Sequence, residues 1–223
     1  IENTPGVRML QSPGLRTIMM GFNMGPKLVD GTTEGNPFAD VRVRRAFEMA
    51  INMDAIREKI MRGKSRNAGT LVAPEVPGFA EALNARTAYD PAAAKALLAE
   101  AGYGDGFAFN LSCPNDAYVN GEAVCQAIVA MLAQVGVEAR LTSQIRALHF
   151  ERAQKGETDM FMLGWATLPM LDGFSVISAL LHKPEGVFGT WNFGGYDNPK
   201  IDELTKAIDI ELDETKRREM MAE

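Results

Sequence analysis

The sequence predicts an α/β fold, and three observations carry that expectation. Residues 107–165 alternate short apolar runs with amphipathic stretches, the runs have strand length, and Gly, Asp or Pro stands at the joints. Strands are expected over 107–113, 137–142 and 160–165, with helices over 121–135 and near 147–155 between them. A βαβαβ series of this kind places its strands parallel, with right-handed crossovers covering the sheet. The last run, MFMLGW, is apolar at successive positions and so fits a strand buried on both faces.

Each remaining element has its own local reason. An apolar run over 15–24 reads as a buried strand, followed by a long Gly-rich polar connection over 25–36. Asp40 can cap a helix in which Val43, Ala46, Phe47, Ala50 and Ile51 recur on one face. A second helix is expected over 54–62, with Ile56 and Ile60 inward and Gly63 as the stop. Residues 67–88 contain Pro74, Pro77 and Gly78 and hold no period, so they read as an irregular crossing segment. Asp90 caps the clearest helix, Pro91 occupies its first turn, and Gly102 ends it. In the helix over 121–135, Val124, Ile128, Met131, Leu132 and Val135 share a face. Asn198 caps another over 199–211, with Ile201, Leu204 and Ile208 inward, and 213–223 carries a further helical pattern.

Composition narrows the function. Of 223 residues, 46% are hydrophobic and 23% charged, the balance of a packed globular chain. Lys and Arg total 23 against 29 Asp and Glu, a net charge of −6 with no dense basic run, which argues against nucleic acid and anionic membranes as partners. No stretch approaches the roughly 18–20 apolar residues that span a bilayer. His149 and His182 are the two histidines, neither in a metal-ligand spacing, and no nucleophile elbow or phosphate-cradling glycine motif is present. The expectation is therefore no enzyme, no metal and no cofactor. Covalent catalysis would need Cys113 or Cys125 with a histidine. These cysteines lie twelve apart, one closing a strand and the other in the first turns of the next helix, so they are near in space. They form either a disulfide or two buried thiols.

The carboxyl ends of parallel strands lie along one edge of the sheet, which gathers the loops over 114–120, 143–146 and 166–173. That geometry nominates Asn115, Asp116, Tyr118, Thr167 and Asp172 as lining residues. Trp165, at the end of its strand, either stacks on a ligand or plugs a domain interface; Trp191 precedes a Gly-rich loop.

The order of segments resembles the extracellular solute-binding proteins of family 5, the peptide and nickel class serving ABC transporters. The matching stretches are GFNM (21–24), NPFADVRVRRAFEMAIN (36–52), YDPAAAKALLAEAGYGDGF (89–107), AIVAMLAQVGVEARL (127–141), DMFMLGWA (159–166) and GGYDNPKIDELT (194–205). The resemblance implies that residues 1–223 form the C-terminal, second lobe of a type II periplasmic binding protein-like fold. That lobe is a mixed sheet flanked by helices, with the N-terminal lobe and a C-terminal return segment absent. It implies a monomeric periplasmic receptor that closes over a peptide or similar small solute and delivers it to ABC permease subunits. A nickel chelate, an oligosaccharide or an opine-like metabolite is the alternative cargo.

By the same resemblance, Asn23 and Asn192 occupy polar positions near the cleft, and the residues after Trp165 belong to the pocket. Peptide-binding members place an acidic residue shortly after this Trp, to pair with the ligand amine. Here the nearest carboxylate is Asp172, seven positions on, which either returns to the cleft through a turn at Pro169 or organises the turn with Gly173. The permease-docking face would use charges such as Arg42, Arg44 and Glu48.

Overall fold

Capping side chains start the helices where the sequence places them. In the computed structural model, which describes residues 6, 8, 10, 12 and 14–223, strand β1 (Arg16–Phe22) leads through a long loop to α1 (Val41–Ala50), whose Arg42 N–H is accepted by the Asp40 carboxylate at 2.8 Å. A short α2 (Met53–Ala55) runs on into π-helical turns at Ile56–Ile60. Asp90 accepts the Ala93 N–H at 2.9 Å to open α3 (Pro91–Glu100). Then follow β2 (Phe107–Pro114), α4 (Gly121–Gln134), β3 (Val137–Gln144), α5 (Arg146–Gln154) and β4 (Met160–Ala166). The alternation read from the sequence is thus present with ends shifted by a residue or two. The chain closes with α6 (Phe174–Val176), which continues as π-helical turns through Ile177–Leu181, then α7 (Pro199–Ile210) and α8 (Glu214–Ala222). The helical turns over 174–181 were not expected, because FSVISALL is apolar and β-branched at its centre and carries no helical period.

The sheet order is β1-β4-β2-β3. Strand β2 is parallel to β3 along its whole length, from Phe107↔Val137 to Pro114↔Gln144, and parallel to β4 at Leu111↔Met160 and Ser112↔Phe161 alone. Strand β1 runs antiparallel to β4, pairing Arg16 with Ala166 and Phe22 with Met160. The sheet is therefore mixed, and β1 begins beside the end of β4.

Strand alternation divides the core into two layers. Phe107, Phe109, Leu111 and Cys113 of β2, with Met160 and Met162 of β4, face a layer containing Phe38, Phe47, Leu98, Ile128 and Leu132. Phe38 meets Phe109 edge-on at 5.2 Å, and burying each such ring contributes about 1.5–3 kcal/mol. On the opposite face Phe161 and Leu163 pack with Ala153, Val176 and Leu180. Cys113 and Cys125 are joined in a disulfide, Cα atoms 6.6 Å apart, which ties the end of β2 to the first turns of α4. Arg42 pairs with Asp40 and donates to Glu100 O, Arg44 donates to Phe38 O, and Glu48 accepts from Thr87 N; these charges bind α1 to its surroundings. Among the described residues, no helix is long and apolar enough to cross a membrane.

Candidate functional site

The chain leaves β2 toward β3 on one side and returns across β2 to β4 on the other, so the strands part at their carboxyl ends. Such a switch point is where open α/β sheets leave a crevice. Here the gap is a groove of about 390 Å³ lined by Arg16, Tyr118, Arg146, Phe150, Trp165 and Trp191, among others. Its floor depends on Tyr118, whose hydroxyl accepts the Gly164 N–H at 2.7 Å and so joins the loop after β2 to β4 beyond their shared ladder. Burial pushes the Tyr118 phenol up, keeping its proton in place. A Cβ on Gly164 would sit 2.6 Å from the Tyr118 ring and 2.6 Å from Ile18 Cδ1, so a larger residue there would have to displace those side chains.

The walls are aromatic. Trp165 and Trp191 meet edge-on with centroids 5.7 Å apart, and Phe150 meets Trp191 at 5.7 Å. Trp165 Nε1 points toward Ser175 Oγ at 3.4 Å. The charge on the groove is positive. Arg16 donates one hydrogen bond, from Nη1 to Gly164 O at 3.2 Å. Arg146 opens α5, its backbone N–H held by the Asp116 carboxylate at 2.6 Å, and its guanidinium has no partner among the described residues. Among the described residues, no carboxylate lines the groove.

Of the residues singled out in the sequence, Trp165 and Tyr118 line this groove. Asn115 is exposed on the same loop and lines a shallower neighbouring depression with Tyr118 and Asn120. Thr167 is 2% exposed and lies beneath the loop whose Ala166 and Leu168 reach the groove; its Oγ1 has no hydrogen-bond partner among the described residues. Asp172 does not line the groove. Its carboxylate caps the turn into α6 through Phe174 N and pairs with Arg217, so the turn-organising alternative is the one observed. Asn192 is buried, its amide donating to His182 O and Tyr196 O and accepting from Tyr196 N, which closes its own loop. Asn23 lies at the opposite end of the sheet, because β1 is antiparallel; its side chain joins Gly156 O, Thr158 O and Gly25 N. Sequence reasoning passed over Arg16 for the same reason: strand direction, which local pattern does not encode, brings it beside Ala166. Arg146 could have been found, since it ends a loop already assigned to this edge.

The remaining chemistry is structural. His149 and Ser112 are both fully buried, with Ser112 Oγ 2.8 Å from Nδ1 and Met162 O 2.8 Å from Nε2. A carbonyl can only accept, so Nε2 carries the proton and Nδ1 accepts from the serine hydroxyl. Burial holds the His149 pKa below the ordinary value, leaving a neutral ring. The pair touches no open surface, and with both cysteines in the disulfide no thiol nucleophile is present.

The family model of the bacterial extracellular solute-binding proteins, family 5 Middle, matches residues 1–187. The chain belongs to this family. Within family 5, it is 33% identical over 168 residues to the dipeptide-binding protein of Escherichia coli, a match covering 74% of this chain and 30% of that protein. It is 28% identical over 212 residues to heme-binding protein A of Haemophilus influenzae, covering 92% of this chain and 36% of that one. The chain therefore spans about a third of the length of the curated relatives it matches. Its fold superposes on the periplasmic binding protein DppA from Helicobacter pylori in complex with the peptide STSA. That TM-score is 0.84 at 22% identity, over 99% of this chain and 41% of that one.

Proposed function

We propose that this family 5 chain is one lobe of a two-lobed periplasmic receptor that captures a peptide or similar small solute and hands it to an ABC permease. The groove at the carboxyl edge of the sheet carries this reading. It is open, walled by Trp165 and Trp191 and lined by Leu168, and the loops that follow the strands also expose Val119, Ile145 and Met170. A second lobe closing on this edge would bury those residues together with the solute. Closure then follows from differential affinity, the closed state gaining contacts from both sides. The names of the dipeptide-binding and peptide-bound relatives support a peptide, and the heme-binding relative supports the alternative of a non-peptide cargo such as a nickel chelate, an oligosaccharide or an opine-like metabolite.

Thermal-shift screening of the full-length protein against di- and oligopeptides, sugars and metal chelates tests the proposal. A true cargo at about 100 times its Kd adds about 2.7 kcal/mol of stability, a shift of several degrees. Trp191→Ala removes three aromatic contacts and should lower the ligand-free Tm, and measured from that lower baseline it should lose most of the ligand-induced shift. If every solute class leaves the Tm unmoved, the receptor reading fails.

A further inference from the structure

From the charges that face the groove, and resting on the receptor reading above, we infer that this lobe recognises a carboxylate of its ligand, between Arg16 and Arg146, and among the described residues offers no carboxylate to a ligand amine. The chain as a whole carries a net charge of −6, yet among the described residues its groove is lined by two arginines and no acidic residue. Arg146 has a guanidinium without a partner among the described residues, and Arg16 gives up one hydrogen bond to a backbone carbonyl. Both therefore hold donors available to an incoming oxygen anion, in the planar geometry that suits a carboxylate.

The acids that could reverse this charge are held elsewhere. Asp172 is paired with Arg217, whose guanidinium also stacks 5.3 Å from the Phe174 ring, so the carboxylate and its counterion form a closed unit outside the groove. Asp116 accepts the Arg146 backbone N–H and is not among the lining residues. The loop residue that does reach the groove, three positions after Trp165, is Leu168, which is apolar and 61% exposed. An ammonium group placed here would meet two like charges and no acceptor carboxylate. A carboxylate would meet two donors, with the Trp165 and Trp191 rings beside it for an apolar substituent.

Three probes on one scaffold separate the possibilities in the full-length protein: Ala-Phe, N-acetyl-Ala-Phe and Ala-Phe-amide, measured by isothermal titration calorimetry. Capping the amine should leave Kd within about threefold, whereas converting the carboxylate to an amide should weaken binding about 10–100-fold. Arg16→Gln and Arg146→Gln should each weaken N-acetyl-Ala-Phe about 10-fold or more, with little further effect on the amide. Equal affinity for the amide and the acid overturns the inference, as does preference for the free amine or failure of all three to bind. Because the three-probe comparison uses the unaltered protein, it stands even if an arginine variant does not fold. A neutral sugar that shifts the Tm when none of the three does removes the carboxylate assignment and leaves solute capture intact, while a blank across every solute class removes capture itself.

Discussion

The two ends of the sheet treat polar groups differently. At the amino-terminal end of the parallel strands, Asn23 binds Gly156 O and Thr158 O, Asn36 binds Asn23 O and Gly25 O, and the fully buried Asp159 carboxylate accepts from Val29, Asp30 and Asn110 N–H groups. Most of the hydrogen-bonding capacity there is taken up by the fold, although the buried Thr158 Oγ1 has no partner among the described residues. At the carboxyl end, the Arg146 guanidinium and Thr167 Oγ1 have no partner among the described residues, and Leu168, Met170, Ile145 and Val119 stand exposed. A polar side chain in a loop says little about function until its partners are counted, and the guanidinium without a partner stands at the end where apolar loop residues are exposed.

The contrast can be broken by substitution. The largest effect is expected at the closed end: Asp159→Ala leaves three backbone donors unsatisfied in a buried site and should cost on the order of 3–4 kcal/mol in urea denaturation, with ligand affinity of the folded protein unchanged. An intermediate loss is expected for His149→Phe, which strands the Ser112 hydroxyl and the Met162 carbonyl, at about 2 kcal/mol. His149 also sets a pH dependence. Its folded pKa lies below the unfolded value of 6.5, so the unfolded chain binds more protons and stability falls as pH drops through and below that value. The Tm of the original protein should decline between about pH 7 and about pH 5, and that part of the slope should vanish in the Phe variant. The smallest effect belongs to Asp172→Asn, which weakens a partly exposed ion pair and should lower stability by about 0.5–1 kcal/mol without altering solute affinity. A loss of peptide binding in that variant would instead place the carboxylate in the site and erase the contrast between the two ends.

How much of this was legible in the sequence depended on the range of the information. Helices α3 and α7 are announced by Asp90-Pro91 and Asn198-Pro199, and β4 by its unbroken apolar run, because caps and strand patterning are local. The groove's place also followed from strand order, which put Tyr118 and Trp165 where the structure has them. What failed was set by distant partners. The direction of β1 depends on pairing with β4, whose Met160 lies 138 residues on from its partner Phe22, and reversing it exchanges Asn23 for Arg16 at the groove. The state of Asp172 depends on Arg217, 45 residues away, and that of Asn192 on the carbonyls of His182 and Tyr196. Nothing within a window around any of these residues distinguishes an engaged side chain from a waiting one.

The aromatic walls have one practical consequence. The chain contains two tryptophans, and both line the groove within 5.7 Å of each other. All indole emission from this polypeptide therefore originates at a single location, and any occupant that excludes water or quenches one ring will register in the intrinsic fluorescence without a label.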